Sequence, residues 1–113
     1  MNPSRHPFDH RGPLPLEVER ERSHVVVRPV GDLDAASSPA LRSCLAGLLD
    51  SGADDLVVEL GAVPFCDSTG LGVLVGAHRR LAVSGGHLAV GHPLPPVRHL
   101  LEISGLDRVF DVR

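Results

Sequence analysis

Apolar positions recur with two periods along this chain, every second residue in some stretches and every third or fourth in others. The two periods predict different elements. Leu14, Leu16 and Val18 alternate with Pro15, Glu17 and Glu19, which predicts a strand with one dry face. Polar residues 20–23 predict a turn. A β-branched run opens at Val25-Val26-Val27 and continues to Val30-Gly31, predicting a second, more central strand because its apolar residues are nearly continuous. Pro29 has no N–H to offer a neighbouring strand, so the end of this strand is expected at an edge or already leaving the sheet.

Ser38-Pro39 predicts a helix start, with a hydroxyl at the cap and a proline at the first helical position. Leu41, Leu45, Leu48 and Leu49 then fall on one stripe, and Gly52 ends the helix. Leu56-Val57-Val58-Glu59-Leu60 predicts a third strand and residues 61–66 a loop. From Ser68 the period is helical again, with Leu71, Leu74, Val75, His78, Leu81 and Ala82 as the expected buried positions and Gly85-Gly86 as the stop. Residues 87–91 predict a fourth strand. Pro95 or Pro96 opens a third helix whose Val97, Leu100, Leu101 and Ile103 supply apolar surface. Ser104-Gly105-Leu106 predicts a helix ending with Gly105 left-handed and Leu106 folding back, followed by a fifth strand over residues 109–112.

The order β-β-α-β-α-β-α-β predicts an α/β fold over residues 14–113, a mixed β-sheet with helices packed against it. Residues 1–13, with three prolines and no periodicity, predict a flexible N-terminal tail.

Composition removes several functions. Aromatic residues make up only 3% of the chain, with no Trp or Tyr, so the core is aliphatic and stacking on nucleobases is poorly supplied. A net charge of −3 offers no basic field for a nucleic acid or an anionic membrane. No stretch approaches the ~20 apolar residues of a membrane span, and the first residues lack the apolar core of a secretory signal. Cys44 and Cys66 form no metal spacing and suit a reducing compartment. A cytoplasmic location is therefore expected. The seven histidines are scattered without supporting carboxylates or thiols, so no metal and no cofactor is expected.

The sharpest local feature is Phe65-Cys66-Asp67-Ser68-Thr69-Gly70-Leu71-Gly72, at a strand-to-helix junction where backbone N–H groups are unpaired and the helix dipole is positive. The plain reading is a helix cap, since Asp, Ser and Thr are capping residues. Gly70 and Gly72 argue for more. A glycine inside a helix costs about 1 kcal/mol relative to alanine, so something must come close to this backbone: a phosphate, a partner surface or a neighbouring strand. A Walker loop is excluded because the chain has no Lys, and the spacing is neither a dinucleotide fingerprint nor a GxSxG elbow. No general base is specified for Ser68, so no catalytic constellation is expected.

These residues resemble the STAS domain of bacterial anti-sigma factor antagonists. Gly31-Asp32-Leu33-Asp34 is similar to the family's ending of the second strand, Asp67-Ser68-Thr69-Gly70-Leu71-Gly72 to its phosphorylation motif, and Ser104-Gly105-Leu106 to its late helix ending. The resemblance implies partner switching without enzymatic activity. The unphosphorylated protein would bind an anti-sigma factor serine kinase and so release the sigma factor. Phosphorylation at Ser68, with Thr69 as second candidate, would end the binding, and a phosphatase would reset it. The implied partner-binding residues are Asp34, Asp67, Ser68, Thr69, Gly70 and Leu71, in a monomer or weak dimer. Two other readings stay open: a non-switching STAS subunit of a lipid transporter or sensory complex, and a weak nucleotide-binding protein.

Overall fold

Three apolar triplets, Val25-Val26-Val27, Leu56-Val57-Val58 and Leu88-Ala89-Val90, lie side by side in the middle of a five-stranded sheet. The computed structural model describes residues 14–113, and the predicted tail, residues 1–13, lies outside them. The strands are β1 (Leu16–Arg20), β2 (Val25–Pro29), β3 (Asp55–Glu59), β4 (His87–Gly91) and β5 (Asp111–Val112), in the order β1-β2-β3-β4-β5. β1 is antiparallel to β2, and all other pairs are parallel. The helices are α1 (Ser38–Asp50), α2 (Ser68–Val83) and α3 (Pro95–Ile103), so the predicted α/β order holds.

Strand parity separates two faces. Val25, Val27, Leu56, Val58, Leu88 and Val90 share one core with the apolar stripes of all three helices. Val26, Val57 and Ala89 are in register across β2, β3 and β4 and form a small second cluster on the opposite face. Each fully buried Leu or Val contributes about 1.5–3 kcal/mol, and the core is built almost wholly from these two residues, as the scarcity of aromatics implied. Pro29 pairs with Leu16 of β1, past the last parallel pair of β2 with β3, Val27 with Val58. Its missing N–H therefore removes nothing from the parallel ladder.

Several local expectations are corrected. Val18 is 43% exposed because β1 is an edge strand that packs chiefly on β2, so its predicted dry face extends only to Leu14 and half-buried Leu16. Ser38 is not a cap: it is the first residue of α1, and its hydroxyl is buried without a hydrogen-bond partner among the described residues. In α2, Leu71, Leu74 and Leu81 are buried as expected, but Val73 and Ala77 are buried too, while Ala82 is exposed. Ile103 is 68% exposed, since the buried stripe of short α3 is Val97 and Leu101. Gly105 is left-handed at φ 75°, but Leu106–Arg108 form a 3-10 turn whose carbonyl at Leu106 holds the N–H groups of Val109 and Phe110. That turn shortens β5 to two residues.

Candidate functional site

Beyond the ends of β2 and β3 the chain is held by one further bridge, Leu33 parallel to Cys66. The Leu33 N–H donates to the Phe65 carbonyl at 2.9 Å, and the Asp67 N–H donates to the Leu33 carbonyl at 3.0 Å. This bridge sets Asp34 beside Asp67, each one residue past a bridge partner. Asp67 sits where α2 begins, and Asp34 in the turn that leads into α1. The Asp34 Oδ1 accepts from the N–H groups of Ala36 and Ser37, both at 3.0 Å, and the Asp34 carbonyl accepts from the Ser38 N–H at 2.8 Å. The turn ahead of α1 is thus capped by Asp34, four residues before the serine expected to do it. The Ser37 hydroxyl donates to the Asp32 carbonyl at 2.6 Å and accepts from the Asp34 N–H at 3.0 Å, tying the segment down.

Asp67 caps α2 with extended backbone angles, φ −110° and ψ −172°. Its Oδ1 accepts from the Thr69 N–H at 2.9 Å, the Gly70 N–H at 3.3 Å, and the Thr69 hydroxyl. The Thr69 hydroxyl, with help from the two backbone N–H groups, holds this carboxyl below the ordinary aspartate range. The two hydroxyls of the motif therefore differ. That of Thr69 is committed to Asp67. Ser68, the first residue of α2, is exposed and makes no side-chain hydrogen bond among the described residues.

The two glycines also differ. A Cβ on Gly70 would lie 2.8 Å from the Cys66 Sγ, 2.9 Å from the Leu33 Cβ and 3.2 Å from the Leu33 carbonyl oxygen. Gly70 is therefore required by the neighbouring bridge, one of the three approaches the sequence left open. A Cβ on Gly72 would meet nothing within 4 Å. Gly70 and Leu71 are both buried, Leu71 at 7% exposure, and so shape the site from beneath, while Asp34 and Asp67 are half-buried and Ser68 and Thr69 exposed.

A second feature beside the motif was missed from sequence. Phe65, Cys66, Pro96, His99, Leu100 and Ile103 line a cleft of about 220 Å³ between the β3–α2 loop and α3. Phe65 at 49% and Ile103 at 68% leave large apolar side chains in solvent three residues from Ser68 and at the end of α3. One signal was available: a phenylalanine in a loop of a chain with only three. Burial, with the Asp67 charge adding to it, pushes the Cys66 thiol up to about 11, so the floor of this cleft is a neutral thiol. Among the described residues no group of three His, Cys, Asp or Glu could hold a metal, and no helix is long and apolar enough to cross a membrane.

The mixed sheet, the bridge and the Asp-Ser-Thr-Gly start of α2 together point to a STAS domain, and the chain belongs to that family, whose model matches residues 15–113. Its relatives are anti-sigma factor antagonists. It is 34% identical over 97 residues to the anti-sigma-B factor antagonist of Bacillus subtilis (strain 168), covering 86% of this chain and 88% of the relative. The crystal structure of an anti-sigma factor antagonist from Mycobacterium paratuberculosis superposes with a TM-score of 0.80 at 28% identity, over 88% of this chain and 84% of the other. The Bacillus cell fate determinant SpoIIAA in its phosphorylated form superposes with a TM-score of 0.70 at 26% identity, over 88% and 91%.

Proposed function

We propose that this chain is an anti-sigma factor antagonist that binds an anti-sigma factor serine kinase while Ser68 is unmodified, freeing the sigma factor, and lets go when Ser68 is phosphorylated. The observation that carries the reading is the contrast between the exposed, uncommitted hydroxyl of Ser68 and the committed hydroxyl of Thr69, at a helix tip where Asp34 and Asp67 lie side by side. That a relative of the same fold is known in a phosphorylated form supports it.

In this reading the kinase transfers the γ-phosphoryl group of ATP to the Ser68 oxygen, the hydroxyl proton is lost and ADP leaves. A phosphatase hydrolyses the ester to reset the protein. The phosphate brings about −1.5 to −2 charges. The N-terminus of α2 accommodates that anion within the domain. The cost falls on the complex, where the phosphate is desolvated beside Asp34 and Asp67. The cleft edged by Phe65 and Ile103 supplies apolar contact for the kinase next to the charge switch.

The test is capture from a lysate of the source organism with full-length Ser68→Ala and Ser68→Glu baits, followed by titration of the captured kinase. The expected result is an anti-sigma factor serine kinase held by Ser68→Ala and bound at least ~10-fold more weakly by Ser68→Glu, a difference of about 1.4 kcal/mol. Equal affinity for the two baits contradicts the reading. Both baits are expected to fold, since an acid in the first turn of a helix is favourable.

A further inference from the structure

Gly72 and Gly76 lie one turn apart on one face of α2, and neither is required by anything inside the fold, because a Cβ on either would meet nothing within 4 Å. They line a groove of about 200 Å³ between α1 and α2. Buried Leu45, Val73 and Ala77 form its floor, half-buried Ala46 and Leu49 of α1 give it apolar surface, and the cations Arg42 and Arg80 border it. At this volume it falls below the ~300–1,000 Å³ of small-molecule pockets, but a shallow apolar trough between two helices suits the side chains of a third helix laid along it. Glycines in the wall let such a helix approach more closely than any other residue would allow.

Charge indicates what kind of helix. α1 and α2 together carry Arg42, Arg79 and Arg80 but a single acid, Asp50, which pairs with Arg80. This is a locally basic face in a chain whose net charge is −3. Arg42 is exposed and has no ion-pair partner among the described residues.

We infer that the α1–α2 groove is a second docking surface of this domain and that it receives an acidic amphipathic helix of a partner protein, with leucine-type anchors over Ala46, Leu49, Gly72 and Gly76 and a carboxylate against Arg42, since Arg80 is already held by Asp50. The inference rests on the reading that the domain works by docking to other proteins, and it adds a contact that the state of Ser68 does not create. Gly72 is four residues from Ser68, so one partner can span the groove and the switch.

The test uses the full-length, ¹⁵N-labelled unphosphorylated protein. The probe is a synthetic helical peptide with leucines at i, i+3, i+4 and i+7 and glutamates elsewhere, and the control replaces those glutamates with lysines. The expected result is shifts of the Ala46, Gly72 and Gly76 amides with the glutamate peptide, at least ~10-fold weaker binding by Arg42→Glu, and loss of binding by Gly76→Leu at unchanged folding. No shifts, shifts confined to other surfaces, or equal binding of the lysine peptide overturns the inference. Titrating Ser68→Glu alongside separates the two claims. Peptide binding at the groove with a kinase indifferent to Ser68 leaves this inference standing and defeats the phosphoswitch. An intact Ser68 switch with no peptide binding does the reverse.

Discussion

Gly70 and the pair Gly72 and Gly76 occupy one helix, yet they are glycines for opposite reasons. Gly70 sits under the Leu33–Cys66 bridge, where a methyl group would overlap a sulfur and a backbone segment. Gly72 and Gly76 face open space. The first glycine serves the fold, because it lets two helix starts lie close enough for Asp34 and Asp67 to be neighbours. The other two weaken the isolated helix, and no contact inside the domain requires them. The start of α2 is thus fixed by close packing, while its middle leaves open space beside two glycines.

Substitution breaks this comparison most strongly at Gly70. Gly70→Ala is expected to destabilise the domain by about 1–3 kcal/mol, the usual cost of overpacking, because the Leu33 backbone cannot move aside as a flexible side chain would. Urea unfolding measures it, and an unchanged midpoint would show that the bridge is loose. Gly72→Ala and Gly76→Ala should instead each stabilise by up to about 1 kcal/mol in the same assay. Destabilisation by either would mean that the groove is closed in solution.

The start of α1 offers a contrast of similar size. Asp34→Ala should lose about 1 kcal/mol of capping, whereas Ser38→Ala should leave stability unchanged or raised, because it removes a buried hydroxyl with no partner among the described residues. Thermal melts of the two variants check the pair, and a loss at Ser38→Ala equal to that at Asp34→Ala would restore the serine as the cap. The smallest effect concerns acid. The Asp67 carboxyl is held below its ordinary range, chiefly by the Thr69 hydroxyl, so it binds protons less readily folded than unfolded. Its contribution is complete above the unfolded aspartate pKa and is lost as pH falls through the lower folded one. Thr69→Ala should flatten the pH dependence of stability below about pH 4. An unchanged acid limb would mean that the hydroxyl contributes nothing.

Much of the architecture was legible because burial here follows period closely. Val25-Val26-Val27 and Leu56-Val57-Val58 are apolar at every position and are indeed parallel neighbours buried on both faces. The errors fall where local signals competed with tertiary ones. Ser38-Pro39 carries the right residue types for a cap, but the Leu33 bridge fixes the chain earlier and gives the capping to Asp34. Val18 alternates as a buried strand residue does, but alternation cannot tell an edge strand that no helix covers from one that is covered. Ile103 fits the helical period, yet nine residues of α3 bury only Val97 and Leu101.

For the candidate site, the sequence showed the capping types and the surplus glycines but could not separate Gly70 from Gly72, since that depends on the bridge between Leu33 and Cys66, residues far apart in the chain. Residue type alone does not separate Ser68 from Thr69, which only the family resemblance ranked. Both are hydroxyls at a helix start, and only the position of the Asp67 oxygen distinguishes them.

That distinction is also where the account is most directly open to test. The full-length protein, incubated with ATP and the anti-sigma factor serine kinase that it captures, can be fragmented and its phosphate located by mass spectrometry. A single phosphate on Ser68, with none on Thr69, is the predicted result. Modification of Thr69, or of neither residue, would contradict it.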